Sequence, residues 1–214
     1  MVVHGLVNQE RKVMHKILIE KCKDKTHIKL ISKIPPSVNH YIKVRNYIMY
    51  QNGKPKAMST LYETAEAKAY KKEMMAYAIS EVKSQNWDIE KTRNRHYYMD
   101  CVFYFERIDQ DEQNYYKCLC DSMNGIVYVD DNCILTRANA VYYDSKNPRI
   151  ELVIYPTDYI GIFENESVLE SFETKCKTCR RYKNNCSLLR KAKEGRIQEE
   201  ICDYICSKYK KRSW

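Results

Sequence analysis

From Glu63 to Ser84 the chain runs without a glycine or a proline and is rich in Ala, Glu, Lys and Met. These are strong helix formers. Ala67, Tyr70, Met74, Tyr77 and Val82 recur at roughly helical spacing, which predicts a long helix with one buried face. Its flanks decide the fold class. Upstream, HIKLISKI alternates like a strand and stops at Pro35-Pro36, where proline cannot continue a ladder. YIKVRNYIMY and AMSTLY then flank Asn52-Gly53, a hairpin-turn signal. Downstream, HYYMDCVFYFER (96–107) is aromatic and β-branched and reads as a strand. Residues 113–124 follow as a helix closing at Asn124-Gly125. IVYV (126–129) reads as a short strand, and RANAVYY and RIELVIYP as two more joined by the turn DSKNP. This order implies a mixed α/β fold, a single mixed β-sheet with packed helices. Residues 1–26 read as a charged N-terminal extension with a possible short helix, and 27–156 as the main domain. After Pro156, residues 157–172 link to a basic, cysteine-rich tail, so that 157–214 forms a small C-terminal module.

Charge divides along the same lines. Residues 1–95 carry 19 basic and 9 acidic side chains, 96–174 carry 5 and 15, and 175–214 carry 13 and 4. An acidic middle between basic flanks suits a polyanion held by the flanks and a cation held by the centre, although solvated faces give the same pattern. No apolar run approaches the roughly 18 residues of a membrane helix, and no export signal opens the sequence. The expected compartment is therefore the cytoplasm, with the ten cysteines reduced or metal-bound.

Five acids crowd two segments: Asp109, Asp111 and Glu112 before the small helix, Asp130 and Asp131 after the next strand. A helix over 114–124 advances about 15 Å and a returning strand about 16 Å, so both groups arrive at one end of the unit. Asn114, Lys117 and Asp121 share one helix face. Converging carboxylates repel unless a cation joins them, and oxygen ligands of this kind favour Mg²⁺ or Mn²⁺. Such an ion activates water and neutralises a phosphate, and a nearby lysine steadies charge on the leaving oxygen. Phosphodiester hydrolysis uses all these parts. An EF-hand does not fit, since Asn114 stands where glycine is wanted. A solvated acidic loop with a helix cap explains the same residues, and a lone Asp-x-Asp also serves glycosyl and nucleotidyl transferases.

Three stretches, taken together, resemble the RusA family of Holliday-junction resolvases of phages and prophages. They are IPPSVNHY (34–41), Asn114-x₂-Lys117-x₃-Asp121-x₂-Asn124-Gly125 preceded by aspartates, and Val129-Asp130-Asp131-x₂-Ile134. The likeness spans residues 27–156. It implies a homodimeric endonuclease that cuts four-way DNA symmetrically with Mg²⁺ or Mn²⁺. By position, the family's catalytic lysine falls on Lys117 and its last metal-binding aspartate on Asp131, beside Asp130. The family's first acids read Asp-x-Asp before Asn114, whereas this chain has Asp111 and Gln113 there. Either Gln113 replaces a ligand, or Asp109 and Asp111 serve jointly; Asp109 and Asp111 are the favoured pair. The resemblance also sets Asn39, Lys43, Arg45 and Asn114 against DNA, although Pro-Pro can simply end a strand and Asn39 can cap a turn.

In the tail, Cys176-x₂-Cys179-x₆-Cys186-x₁₅-Cys202 has the spacing of a four-thiolate structural zinc site, with Cys206 following. A helix over 187–209 is expected to complete the module. Reduced cysteines on a docked basic helix are the simpler alternative. Cys22, Cys101, Cys118, Cys120 and Cys133 fall in strand or helix patterns and read as small core residues.

Overall fold

The computed structural model describes residues 14–23 and 25–212, so most of the expected N-terminal extension lies outside the described residues. In chain order the elements are α1 (Lys16–Cys22), β1 (Ile28–Ser32), α2 (Val38–Tyr41), β2 (Ile42–Gln51), β3 (Lys54–Glu63) and α3 (Ala65–Ser84). Then come β4 (Tyr97–Phe105), α4 (Tyr116–Met123), β5 (Ile134–Tyr143), β6 (Arg149–Pro156), α5 (Glu166–Lys177), α6 (Leu188–Lys193), β7 (Ile201–Cys202) and β8 (Ile205–Cys206). The mixed α/β expectation holds.

The aromatic run at 97–105 becomes an inner strand because both of its faces are covered by helices. Tyr97, Met99, Cys101, Phe103 and Phe105 point to one side, into a core closed by Tyr70, Met74 and Ala78 of α3 and Leu119 and Met123 of α4. Val102 points to the other side, where Leu18 and Cys22 of α1 cover it with Val153 and Tyr155. The sheet order is β1-β6-β4-β5, with β4 parallel to β5 and antiparallel to β6. The DSKNP turn therefore joins strands that are not neighbours. β4 lies between them, and the parallel β4–β5 pair needs the long crossover that contains α4.

Thr64 caps α3 by accepting from the Ala67 N–H. Ala67, Tyr70, Met74 and Ala78 are its buried stripe, with Tyr77 and Val82 packed at the edge. The Asn52-Gly53 turn has positive φ at both residues, 53° and 75°, as a tight hairpin requires. The β2–β3 ribbon pairs with itself over ten residues each side and stands out from the body, nearly all of it exposed.

Two local expectations are corrected. IVYV is not a strand. Val127 and Tyr128 are fully buried, and the segment turns tightly under α4: the Ile126 and Val127 amides donate to the Met123 carbonyl, and the Tyr128 hydroxyl donates to the Cys120 carbonyl at 2.8 Å. Burial of two large side chains outweighs the β-propensity of the run. The tail helix over 187–209 also fails to form. It stops at Lys193 because Gly195 takes φ +79°, and the chain then folds into the two-residue pair β7–β8. Within 157–172 the chain is already packing, with Phe163 against Phe172, Leu169 and Ala192.

On the α1 face, Asp100 is fully buried and accepts from Arg137 at 2.6 and 3.0 Å and from the Tyr155 hydroxyl at 2.6 Å. Burial raises its pKa, yet these bonds prevail and hold it below the usual aspartate range. Asp100→Ala is expected to destabilise the fold by about 2 kcal/mol, the cost of charge-assisted bonds lost while half-buried Arg137 regains water. A shift of the urea midpoint measures it.

Candidate active site

Lys117 sits one turn into α4, reached through a 3₁₀ turn at Glu112–Tyr115 that Asp111 starts by accepting from the Gln113 N–H at 3.1 Å. Its ammonium donates to Asp121 Oδ1 at 2.7 Å, the i, i+4 partner, and stands 3.5 Å from Asp131 Oδ2. Asp131 belongs to a second 3₁₀ turn, Asp131–Cys133, which Asp130 caps by accepting from the Asn132 N–H at 3.1 Å. The tight turn under α4 thus returns the chain to Lys117, with a shorter path than the strand expected there.

Behind Lys117 the network continues inward. The buried Tyr41 hydroxyl donates to Asp121, and it also lies 3.0 Å from Glu63 Oε1, which accepts from Lys71 at 2.8 Å. Burial and its two carboxylate neighbours push the Tyr41 phenol well up. Asp121 is raised by burial but held below the ordinary range by the bonds from Lys117 and Tyr41. The bond to Asp121 pushes the Lys117 pKa up, so this lysine is firmly a cation. The Lys71 bond likewise lowers Glu63. Tyr41, Glu63 and Lys71 were not legible as site residues. Tyr41 closes the IPPSVNHY motif and Asp121 lies one turn after Lys117, and these are the signals that point to the network.

The other expected residues are placed as follows. Asp109 pairs with Arg107 at 3.3 Å on an exposed loop, and Asp111 and Asp130 are exposed caps, each with one oxygen spent on a backbone amide. Asn114 is half-buried and its amide donates to the Asp111 carbonyl at 3.2 Å. Asn39 is exposed in α2, and Lys43 and Arg45 are exposed near the root of the β2–β3 ribbon. That root is fixed to the site, because Tyr41 and Glu63 are the residues that join the ribbon to Asp121. Among the described residues no three His, Cys, Asp or Glu side chains stand close enough together to hold a metal ion. The donor chemistry still suits a hard divalent ion: Asp111, Asp130 and Asp131 offer carboxylate oxygens only, on an open surface.

Compared with known families, the sequence matches endodeoxyribonuclease RusA over residues 33–155, more than half of the chain. The chain belongs to the RusA family. Its RusA region begins just after β1 and contains the ribbon, both central helices and all but the end of β6, and with them every residue of the Lys117 network. Membership carries the reaction class, hydrolysis of DNA phosphodiesters by a junction-resolving endonuclease. No curated protein matches the sequence. Among the described residues no helix is long and apolar enough to cross a membrane.

In the tail, Cys176, Cys179, Cys186 and Cys206 line one cavity, whereas exposed Cys202 does not and bonds to Asp203. Burial, and then the thiols of Cys206, Cys186 and Cys179, push Cys176 up to about 11. Cys22, Cys101, Cys118, Cys120 and Cys133 are all buried, as core residues.

Proposed function

We propose that this RusA-family chain is a metal-dependent endodeoxyribonuclease that resolves four-way DNA by paired phosphodiester hydrolysis. The observation that carries the reading is the placement of Lys117 between Asp121 and Asp131, on an open surface at the foot of a protruding basic ribbon. An open shelf admits a duplex, where a closed pocket would admit a small molecule.

Asp131, with Asp111 and with Asp109 or Asp130, would hold Mg²⁺ or Mn²⁺. When bound, the ion supplies an activated water and neutralises charge on the scissile phosphate. This chain's own residues do the rest. Lys117 holds a positive charge where negative charge grows on the phosphate oxygens in the transition state. Asp121 keeps that lysine protonated and aimed, and Tyr41 holds Asp121 from beneath. Lys43 and Arg45 hold phosphates along the ribbon root, while Asn39 and Asn114 flank the strand. A two-fold junction cut symmetrically is matched by a homodimer. The family setting is phage or prophage recombination in a bacterial cytoplasm.

Gln113 supports a second reading. A neutral amide in place of a ligand carboxylate weakens a metal site, which would leave a junction-binding protein of the same fold with little or no cleavage. One assay separates the two: a synthetic four-way junction and its linear duplex, each incubated with Mg²⁺, Mn²⁺ or EDTA. The proposal expects paired nicks on the junction alone, lost with chelator. Tight junction binding without nicks in either metal would establish the second reading instead.

A further inference from the structure

The tail holds its cysteines in a way the nuclease chemistry does not use. A cavity of about 450 Å³ is walled by four thiols that arrive from four separate places: Cys176 near the end of α5, Cys179 in the turn after it, Cys186 before α6, and Cys206 in β8. The backbone bends to bring them there. The Cys179 amide donates to the Cys176 carbonyl at 2.9 Å and the Tyr182 amide to the Cys179 carbonyl at 3.1 Å, curling the chain around the Cys-x-x-Cys. The Lys210 amide donates to Cys179 Sγ at 3.4 Å, and the last residues clamp the turn through Arg180 N to Lys210 O at 2.7 Å and Arg212 N to Thr178 O at 3.1 Å.

Some of this backbone is strained. Lys183, Asn185, Asp203 and Tyr204 all have positive φ without being glycine, between 47° and 60°. Such residues persist only where their surroundings over-determine them. Asp203 and Tyr204 form the turn that swings Cys206 onto the cavity and leaves Cys202 outside. The apolar core available here is small, with Phe163, Leu169, Phe172 and Ala192 its buried members. A six-residue helix and two two-residue strands do not repay this strain by burial alone. Lys175, Lys183, Arg190 and Lys208 also line the cavity.

We propose that Cys176, Cys179, Cys186 and Cys206 form a four-thiolate structural zinc site, and that Cys202 is not a ligand. As placed here the four sulfurs stand too far apart to hold an ion; on binding, the four thiols would release their protons to solvent and the sulfurs would be drawn inward to about 2.3 Å from the ion. The resulting double negative charge sits among the lysines and the arginine of the wall. The site is independent of the nuclease reading, so either can fail alone.

The test uses the full chain. After purification, exposure to zinc and dialysis, wild type and Cys202→Ser are expected to retain one zinc per chain by elemental analysis, and Cys206→Ser to lose it. Titration of the wild-type chain with cobalt needs no variant: tetrahedral d–d bands with strong thiolate charge transfer are expected. Absence of bound zinc in the wild type, octahedral cobalt bands, iron in place of zinc, or loss of zinc from Cys202→Ser but not Cys206→Ser would each overturn the assignment.

Discussion

Lys117→Ala is expected to slow junction cleavage by about 10²–10³-fold, the usual cost of removing one donor that faces transition-state charge. Junction affinity is expected to change far less, because in the proposed function the phosphate contacts fall to Lys43, Arg45 and the other basic residues of the flanks. Single-turnover rates set beside a binding titration check both halves. The pH dependence is also specified. The Asp121 bond raises the affinity of Lys117 for its proton, so the cation persists through and beyond the ordinary lysine value of about 10.4. No loss of rate between pH 7 and 9 should trace to this residue, and Lys117→Arg should leave the shape of that limb unchanged. Asp121 titrates in the opposite direction. Its pKa is depressed, so the support it lends is complete above the unfolded value of about 3.9 and is lost as pH falls through the folded one.

Asp131→Asn is expected to reduce cleavage to the level of the chelated wild type while leaving junction binding intact. Asparagine preserves the volume of the side chain and removes only its charge. The local fold should survive, because the cap of the 3₁₀ turn is Asp130 and not Asp131. Nicking at the wild-type rate would remove Asp131 from the site. A variant that also fails to bind DNA would point to a structural role, which circular dichroism and the binding titration distinguish.

Much of the fold was readable because it rests on local rules. The Asn52-Gly53 hairpin, the helix at 65–84 and the buried strand at 97–105 each follow from turn chemistry, propensity or aromatic content. What escaped depends on partners distant in the chain. Val127 and Tyr128 look like a strand until the space beneath α4 claims them, and β5 and β6 look like a hairpin until β4 is seen between them. The site divides in the same way. Lys117 and Asp131, which the fold brings within 3.5 Å of each other, were proposed from spacing and resemblance. Tyr41 and Glu63 lie about eighty and sixty residues before Asp121, and only the packing of the ribbon root against α4 makes them part of one network. In the tail, Cys202 and Cys206 are equivalent by spacing, and a two-residue turn separates them.

The most direct measurement is a double-mutant cycle on single-turnover cleavage of a four-way junction in Mg²⁺, using wild type, Lys117→Ala, Asp131→Asn and the pair together. Residues that act as a unit lose their effects only once. The account predicts that the double variant cleaves no more slowly than the slower single variant. Fully multiplicative losses, or a wild-type rate in Asp131→Asn, would contradict it.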